Sequence, residues 1–94
     1  MTGDRIYIGL VVVDPSVVQK LHEKHGITVA DVQEALQWPA RAEAVVDDDP
    51  EHGWRVLAYG TTADGREVFG VLLPEPDHDW ERAETWRIKS ARWL

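Results

Sequence analysis

The sequence contains no cysteine, which excludes disulfide bonds, thiolate metal sites and thiol catalysis. It is also poor in positive charge, with 10 lysine and arginine residues against 17 aspartate and glutamate residues and a net charge of −7. Because nucleic-acid affinity depends largely on cationic contacts to phosphates, any nucleic-acid site must be local. The apolar run at residues 6–13 is too short for a secretion signal or a membrane span. We therefore expect a cytoplasmic protein with no membrane partner.

Motifs for several kinds of catalysis and metal binding are absent as well. There is no glycine-rich phosphate loop and no serine-centred nucleophile elbow. His22 and His25 have the helical spacing of two metal ligands, but no third ligand is tied to them. The acidic run at residues 47–51 lacks the ligand spacing of an EF-hand. We expect no metal and no cofactor, and we expect the acidic run to be a solvent-exposed loop.

Apolar residues recur at helical spacing only within residues 15–39, which predicts two helices in succession. Asp14 precedes a proline and is the expected N-cap of the first helix, which should end at Gly26. Thr28, with Asp31 three residues later, is the expected N-cap of the second helix. The stripes expected to face the core are Val17, Val18, Leu21 and His25 in the first helix and Val29, Val32, Ala35 and Leu36 in the second.

The remaining segments predict strands. Residues 5–13 are rich in β-branched side chains and apolar on both faces, so we expect a strand buried on both sides or covered by a partner. Residues 40–47 and 83–92 predict two further strands, one on each side of a central hairpin. Residues 1–94 should form one α+β domain with the order β-α-α-β-β-β-β, its helices on one face of a mainly antiparallel sheet and its last strand near the sheet centre.

The hairpin is predicted by two strand-like segments, residues 54–62 and 66–73, joined by a three-residue turn that contains a glycine. Pairing Thr62 with Arg66 fixes the register and divides the side chains between two faces. The bulky face, which we expect to contact the helices, consists of Leu57, Tyr59, Phe69, Val71 and Leu73. The other face should be a floor with small residues at its middle and consists of Val56, Ala58, Gly60, Val68, Gly70 and Leu72.

Positive charge is concentrated at the end of the sequence, where residues 86–94 contain three cations and no acid. Regular alternation predicts Trp86, Ile88 and Ser90 on the core side of the last strand and Thr85, Arg87, Lys89 and Ala91 on the small-residue floor. On that floor, Arg87 and Lys89 are either a phosphate site or ordinary solvated edge charges. Two glycines nearby would allow a ligand to approach closely.

The order of these elements, together with the segments EKHGITVADVQEAL, YGTTADGREVFGVLL and WRIKSAR, resembles the RelE/ParE toxin superfamily, and most closely its BrnT-like branch. The resemblance covers roughly residues 14–92. It rests on a lysine-histidine-glycine helix end, a glycine-turn-arginine hairpin and an arginine-isoleucine-x-serine-alanine-arginine strand. It implies the toxin-like component of a bacterial toxin–antitoxin system, a metal-independent endoribonuclease that cuts mRNA, with an antitoxin protein as partner.

Carried over by matching positions, the resemblance implies a set of site residues. The implied catalytic residues are Arg66, Arg87, Arg92 and His25, and the implied RNA-binding residues are Lys89 and Lys24. Attack by the RNA 2′-hydroxyl needs a base, a cation for the phosphorane and an acid for the leaving oxygen. Arginine and lysine can supply the charge, but spacing alone brings no base to them. His25, at a helix end, either takes part or only interacts with the last carbonyl groups.

The acidic net charge differs from that of active RNA-cleaving relatives, so the alternative is a non-catalytic protein-interaction module that keeps the RelE-like fold. In both cases the strands are too apolar for either face to remain in water. We expect the face with Val56, Val68 and Leu72 to be covered by a homodimer partner or an antitoxin-like peptide. Trp93 should either meet such a partner or pack over the sheet edge.

Overall fold

The computed structural model describes residues 8–37, 39–40, 42–51, 53–74 and 85–94. Within these ranges the elements are β1 (Leu10–Val12), α1 (Pro15–His25), α2 (Val29–Leu36), β2 (Glu43–Asp49), β3 (Gly53–Thr61), β4 (Glu67–Pro74) and β5 (Thr85–Trp93). The strands form one sheet in the order β1-β5-β4-β3-β2. β1 is parallel to β5, and the other neighbouring pairs are antiparallel. The predicted α+β fold is confirmed, including the inner position of the last strand.

The first helix ends at a left-handed glycine, as predicted. Gly26 has φ 62° and ψ 29°, and its N–H donates to the carbonyl oxygen of His22 at 3.0 Å. This 5→1 bond is that of an αL cap, and the N–H of Ile27 also donates to the carbonyl oxygen of Leu21 at 3.3 Å. Because this cap turns the chain back on the helix, Ile27 is fully buried in the core.

The second helix begins with the predicted capping box. The hydroxyl of Thr28 accepts a hydrogen bond from the N–H of Asp31 at 3.1 Å, and the carboxylate of Asp31 accepts one from the N–H of Thr28 at 3.0 Å. Asp14 caps α1 through its extended backbone, without a side-chain hydrogen bond, ahead of the proline at the first helical position. Both helix starts therefore lie where the sequence predicts them.

The core fills the space between the two helices and one face of the sheet. α2 packs on β3 and β4 and also contacts β1, while α1 packs mainly on β5. The largest fully buried side chains are Trp86, Ile27, Leu36, Leu72, Ile88, Val11, Val32, Val56 and Val68. Residues from every element except α1 and β2 appear in this set, and α1 adds Leu21, which is 3% exposed. The core thus joins both helices to the centre of the sheet.

The helices cover the small-residue face of the hairpin, so the predicted assignment of the two faces is wrong. Val56 and Val68 are fully buried under the helices, whereas Tyr59 on the bulky face is 45% exposed. A Cβ atom at Gly60 would lie 1.9 Å from the carbonyl oxygen of Ala35 in α2. The small residues therefore admit the helix backbone itself, and the face expected to need a partner is covered by the chain's own helices.

The buried stripe of α1 is narrower than predicted. Leu21 is buried and Val17 is partly buried, but Val18 is 37% exposed and His25 is also exposed. Because α1 lies mainly over β5, only the line of residues closest to that strand loses contact with water. In α2, three members of the predicted stripe, Val32, Ala35 and Leu36, are buried, and the fourth, Val29, is half-buried.

The predicted acidic loop is wrong for residues 47–49, which are the last three residues of β2 and pair with the start of β3. The carboxylate of Asp47 accepts a hydrogen bond from Nε of Arg55 at 2.7 Å, which offsets part of the repulsion among neighbouring acids. Gly53 has φ 77°, a conformation that suits the return of the chain into β3. The second hairpin has the predicted register, with the N–H of Thr62 donating to the carbonyl oxygen of Arg66 at 2.9 Å.

The strand β1 lies at one edge of the sheet. Leu10 is 45% exposed, so the chain itself does not bury both sides of the strand at that position, and cover by a partner stays a prediction. Residues 5–7 of the predicted strand lie outside the described part. The N–H of Val11 donates to the side-chain oxygen of Gln37 at 2.9 Å, and its carbonyl oxygen accepts from the amide of Gln33 at 3.1 Å. Two glutamines of α2 thus occupy backbone groups that an added strand would use.

Candidate functional site

The sheet surface opposite the helices is called the open face below. Its side chains follow from the strand register and come from four adjacent strands. They are Glu43, Val45 and Asp47 of β2, Arg55, Leu57 and Tyr59 of β3, Phe69, Val71 and Leu73 of β4, and Arg87, Ser90 and Arg92 of β5. The open face has carboxylates on β2, two arginines on β5 and mainly apolar side chains on the two strands between them, where Arg55 of β3 forms an ion pair with Asp47.

An aromatic pair with a cation beside it forms one row of the open face. The rings of Tyr59 and Phe69 lie 4.9 Å apart between centroids and are inclined by 46°. The guanidinium of Arg92 lies over Phe69, with 5.5 Å between its Cζ atom and the ring centroid. Tyr59 is 45% exposed. Neighbouring aromatic rings next to an arginine can accept a nucleobase or the side chains of another protein.

A β-bulge in β5 decides which side chains join this row. Leu72 pairs with Ile88 but Val71 pairs with Ser90, so one extra residue, Lys89, lies between the two pairs. The bulge reverses the alternation after Ile88, and Ala91 is therefore buried rather than exposed. The predicted division of the strand is wrong from that point onward.

The bulge and the position of the helices together move the predicted cations. Arg87 pairs with Leu73 and Arg92 with Phe69, so both lie on the open face rather than over the two glycines. Lys89 is exposed at the bulge between them. Within the described residues, neither Arg87 nor Arg92 forms an ion pair, which leaves two cations available on an acidic protein.

A second group of predicted residues lies at the end of the hairpin on the helix side of the sheet. The guanidinium of Arg66 stacks on the ring of Trp93, with 3.5 Å between its Cζ atom and the centroid. The indole N–H of Trp93 points to the carbonyl oxygen of Gly26 at 3.4 Å. Arg66 is therefore connected through Trp93 to the end of α1, where Lys24 and His25 are exposed.

The hairpin turn positions Arg66 through a short network. The hydroxyl of Thr62 donates to the carboxylate of Asp64 and accepts from the N–H of Arg66 at 3.1 Å. The hydrogen bond from Thr62 is the largest cause that lowers the pKa of the Asp64 carboxyl below its ordinary value, and the nearby charge of Arg66 adds to it. Glu34 of α2 accepts a hydrogen bond from the N–H of Ala63, which ties the turn to the helix.

Two adjoining shallow pockets lie at the end of the sheet, between Arg66 and Tyr59. One has a volume of about 300 Å³ and is lined by Thr61, Gly65, Arg66, Glu67, Trp93 and Leu94. The other has a volume of about 340 Å³ and is lined by Glu43, Tyr59, Gly60, Thr61, Glu67 and Leu94. Because they share Thr61, Glu67 and Leu94, they form one groove from the Arg66–Trp93 stack to the aromatic row.

The six predicted site residues thus lie in two places. Arg87, Lys89 and Arg92 lie along β5, and Arg66, Lys24 and His25 lie near the end of α1. The predictions did not include the rings that accompany the arginines. The hairpin register already brings Tyr59 and Phe69 together, and this was the available signal. No sequence pattern indicates that Trp93 would stack under Arg66.

Neither a protein-family model nor a curated protein matches this chain, and no solved structure matches it. Among the described residues, no group of three or more histidine, aspartate or glutamate side chains is arranged to hold a metal ion. None of the helices in the described part is long and apolar enough to cross a membrane.

Proposed function

We propose that the chain is the toxin-like component of a bacterial toxin–antitoxin pair and that it cleaves mRNA without a metal ion. The proposal starts from the sequence resemblance to RelE/ParE toxins of the BrnT-like branch. The observation that supports it is the pair Arg87 and Arg92 on the open face, with no carboxylate partner in the described residues. In a chain of net charge −7, two such cations on one strand face form a local site for phosphates.

In this proposal one group of residues binds the RNA and the other carries out the cleavage. Arg87, Lys89 and Arg92 would hold the RNA backbone, and a base would stack on the exposed ring of Tyr59 beside Phe69. The groove leads from that ring to Arg66, which would stabilise the phosphorane charge. His25, exposed at the end of α1 with Lys24, is the proposed base or acid. The antitoxin is the proposed protein partner.

A second candidate is a non-catalytic interaction module that keeps the RelE-like fold. It is favoured by the composition of the open face, because tyrosine, phenylalanine and arginine are the residue types that protein interfaces contain in excess. The two histidines of the described part, His22 and His25, both lie on α1 and are not on this face. Under this reading, Arg87 and Arg92 bind acidic groups of a protein, and no RNA is cut.

The deciding experiment is induced expression in a bacterial host, with growth and mRNA integrity followed over time. We expect growth arrest and mRNA cleavage from the parent chain and neither from the double variant Arg87→Ala, Arg92→Ala. Lys20→Ala removes an exposed cation of α1 outside both groups and is the matched control, which should arrest growth like the parent. Normal growth from well-folded parent protein would refute the ribonuclease reading and leave the interaction module.

Binding measurements can then assign the individual residues. Removing a phosphate contact should weaken RNA binding and lower the slope of log affinity against log salt by about 1 per lost contact. We expect this from Arg87→Ala and Lys89→Ala. A residue that contacts only the transition state should lower turnover and leave binding unchanged, which is the result expected for His25→Gln.

A further inference from the structure

The open face carries a pattern of charges and rings that is complementary to itself. One row across the sheet reads Glu43, Tyr59, Phe69 and Arg92, in the order β2-β3-β4-β5. The row therefore has a carboxylate at one end, a guanidinium at the other and an aromatic pair between them. A surface with this order can bind a second copy of itself, because a two-fold axis brings opposite ends together.

The third row repeats the charges at the two ends, and the row between the two is uncharged. The middle row consists of Val45, Leu57, Val71 and Ser90 and carries no charge. Beyond it, the third row has Asp47 on β2 and Arg87 on β5, with Arg55 and Leu73 between them, and Arg55 forms an ion pair with Asp47 of the same copy at 2.7 Å. In these three rows the face thus has carboxylates along one outer strand and arginines along the other, and the one charged side chain on the two inner strands, Arg55, is paired with Asp47.

We propose that two copies of the chain associate through their open faces about a two-fold axis that is parallel to the strands and passes between β3 and β4. This operation places β2 of one copy over β5 of the other and maps each row onto itself. Glu43 then faces Arg92 of the second copy, and Tyr59 faces Phe69. Stacked sheets of this aligned kind lie about 10 Å apart and cross at roughly −30°, an offset that long glutamate and arginine side chains can span.

Charge selects this axis over its alternative. A two-fold axis in the same plane but perpendicular to the strands would place β5 over β5 and β2 over β2. Arg87 would then meet Arg92 of the second copy and Glu43 would meet Asp47, so like charges would be buried together. Such contacts disfavour a complex strongly. The order of acids and bases across the face therefore fixes the relative orientation of the two copies.

The size of the face indicates how strong the association is. Four strands about 4.8 Å apart and five residues at about 3.4 Å each give a flat footprint on the order of 300 Å² per copy, against about 800 Å² per partner in a standard interface. We therefore expect a reversible dimer with a dissociation constant of about micromolar order. The association does not depend on the proposed ribonuclease activity. It would cover Arg87 and Arg92, so the dimer could not bind RNA through them.

The test is a charge exchange followed by sedimentation over a series of protein concentrations. Glu43→Arg alone and Arg92→Glu alone each place like charges across the interface and should weaken self-association at least tenfold. The double variant should restore dimerisation, because both pairs become arginine–glutamate again. Within one copy the two positions are three strand spacings apart, about 14 Å, so the rescue cannot arise inside a monomer. Lys20→Glu, on α1, should leave the dimer unchanged.

A parent protein that sediments as a monomer up to millimolar concentration would overturn the proposal. A dimer that tolerates both single reversals, or one that the double variant does not restore, would overturn it as well. RNA binding by the same variants is measured separately. A monomer that binds RNA through Arg92 would therefore refute the dimer while leaving the proposed function intact.

Discussion

Replacing Gly60 with alanine adds one methyl group between strand β3 and helix α2, where the structure leaves no room for it. The new Cβ would lie 1.9 Å from the carbonyl oxygen of Ala35 and 2.7 Å from its carbonyl carbon. Ordinary contacts between such atoms are about 3.5 Å or more, so the helix must retreat by roughly 1.5 Å. The obstacle is backbone, which cannot rotate away as a side chain can.

The expected cost follows from this geometry. Overpacking a core costs about 1–3 kcal/mol, and we expect Gly60→Ala to lose about 3 kcal/mol because a helix backbone must move. A protein of this length has a total stability of roughly 5–14 kcal/mol. The loss therefore corresponds to a fall in Tm of roughly 12–24 °C. Denaturation in urea, followed by tryptophan fluorescence, measures it, since the chain has 5 tryptophans.

Gly70→Ala is the matched control. Its Cβ would lie 2.8 Å from Cδ1 of Leu36, the end of a flexible side chain that can move, so we expect a loss of about 1 kcal/mol. Gly60→Ala at parental stability would show that α2 does not cover this face. That result would restore the opposite assignment, in which the bulky face contacts the helices and Gly60 faces solvent.

Two further changes test the edge of the sheet and the hairpin turn. The double variant Gln33→Ala, Gln37→Ala removes both side-chain partners of Val11. We expect the free energy of unfolding to fall by about 1–3 kcal/mol and hydrogen exchange at the Val11 amide to become faster. Unchanged exchange would show that the glutamines do not protect this amide. The pKa of Asp64 is lowered in the folded state, chiefly by the hydrogen bond from Thr62. The ionised carboxylate therefore stabilises the fold above pH 3.8, the ordinary pKa of the group, and this stabilisation is lost as pH falls through the lower pKa of the folded state. Asp64→Asn should remove this part of the acid dependence, and an unchanged stability profile below pH 3.8 would refute the assignment.

The parts of the fold that depend on local geometry were predictable from the sequence. A capping residue, a left-handed glycine and a turn of fixed length each act over a few residues, so the helix ends and the hairpin register were predicted correctly. The register also placed Tyr59 beside Phe69. Once the pairing of Thr62 with Arg66 is known, each side chain of the hairpin has a definite face.

The choice between the two faces was not predictable in the same way. Both faces of the hairpin are apolar, and bulk suggested that the larger side chains would meet the helices. The opposite holds because α2 approaches β3 closely enough for the backbone at Ala35 to occupy the space above Gly60. Which face the helix covers depends on how side-chain and backbone volumes fit between elements that are distant in sequence. The alternation of residues within a strand does not predict that fit.

The site was only partly predictable for a related reason. The resemblance supplied the arginines, but their positions depend on one extra residue in β5. With regular alternation of side chains, Arg92 would lie on the same face as Ile88, which is the core face. The bulge at Lys89 reverses the later positions and places Arg92 over Phe69 on the open face. A bulge has no sequence signature in this strand, so the positions of Ala91 and Arg92 were beyond reach.

Deleting a residue from a strand inside a sheet usually destabilises a protein, and Lys89 is expected to be an exception. Deleting Lys89 leaves Ile88 opposite Leu72 and brings Ser90 directly opposite Val71, so the ladder becomes regular and every other residue keeps its face. We expect a loss of no more than about 1 kcal/mol, because no core side chain changes place.

Deleting Ile88 instead is the control. It leaves Lys89 to occupy the buried position opposite Leu72, and a buried unpaired lysine should prevent stable folding. If deletion of Lys89 unfolds the chain as deletion of Ile88 does, the strand is not bulged there and Arg92 does not share a face with Arg87. If the shortened chain folds, it keeps both arginines and the aromatic row in place while lacking one predicted RNA contact. Any difference in RNA affinity from the parent then reports on Lys89 itself and the local twist of the strand, with the fold unchanged.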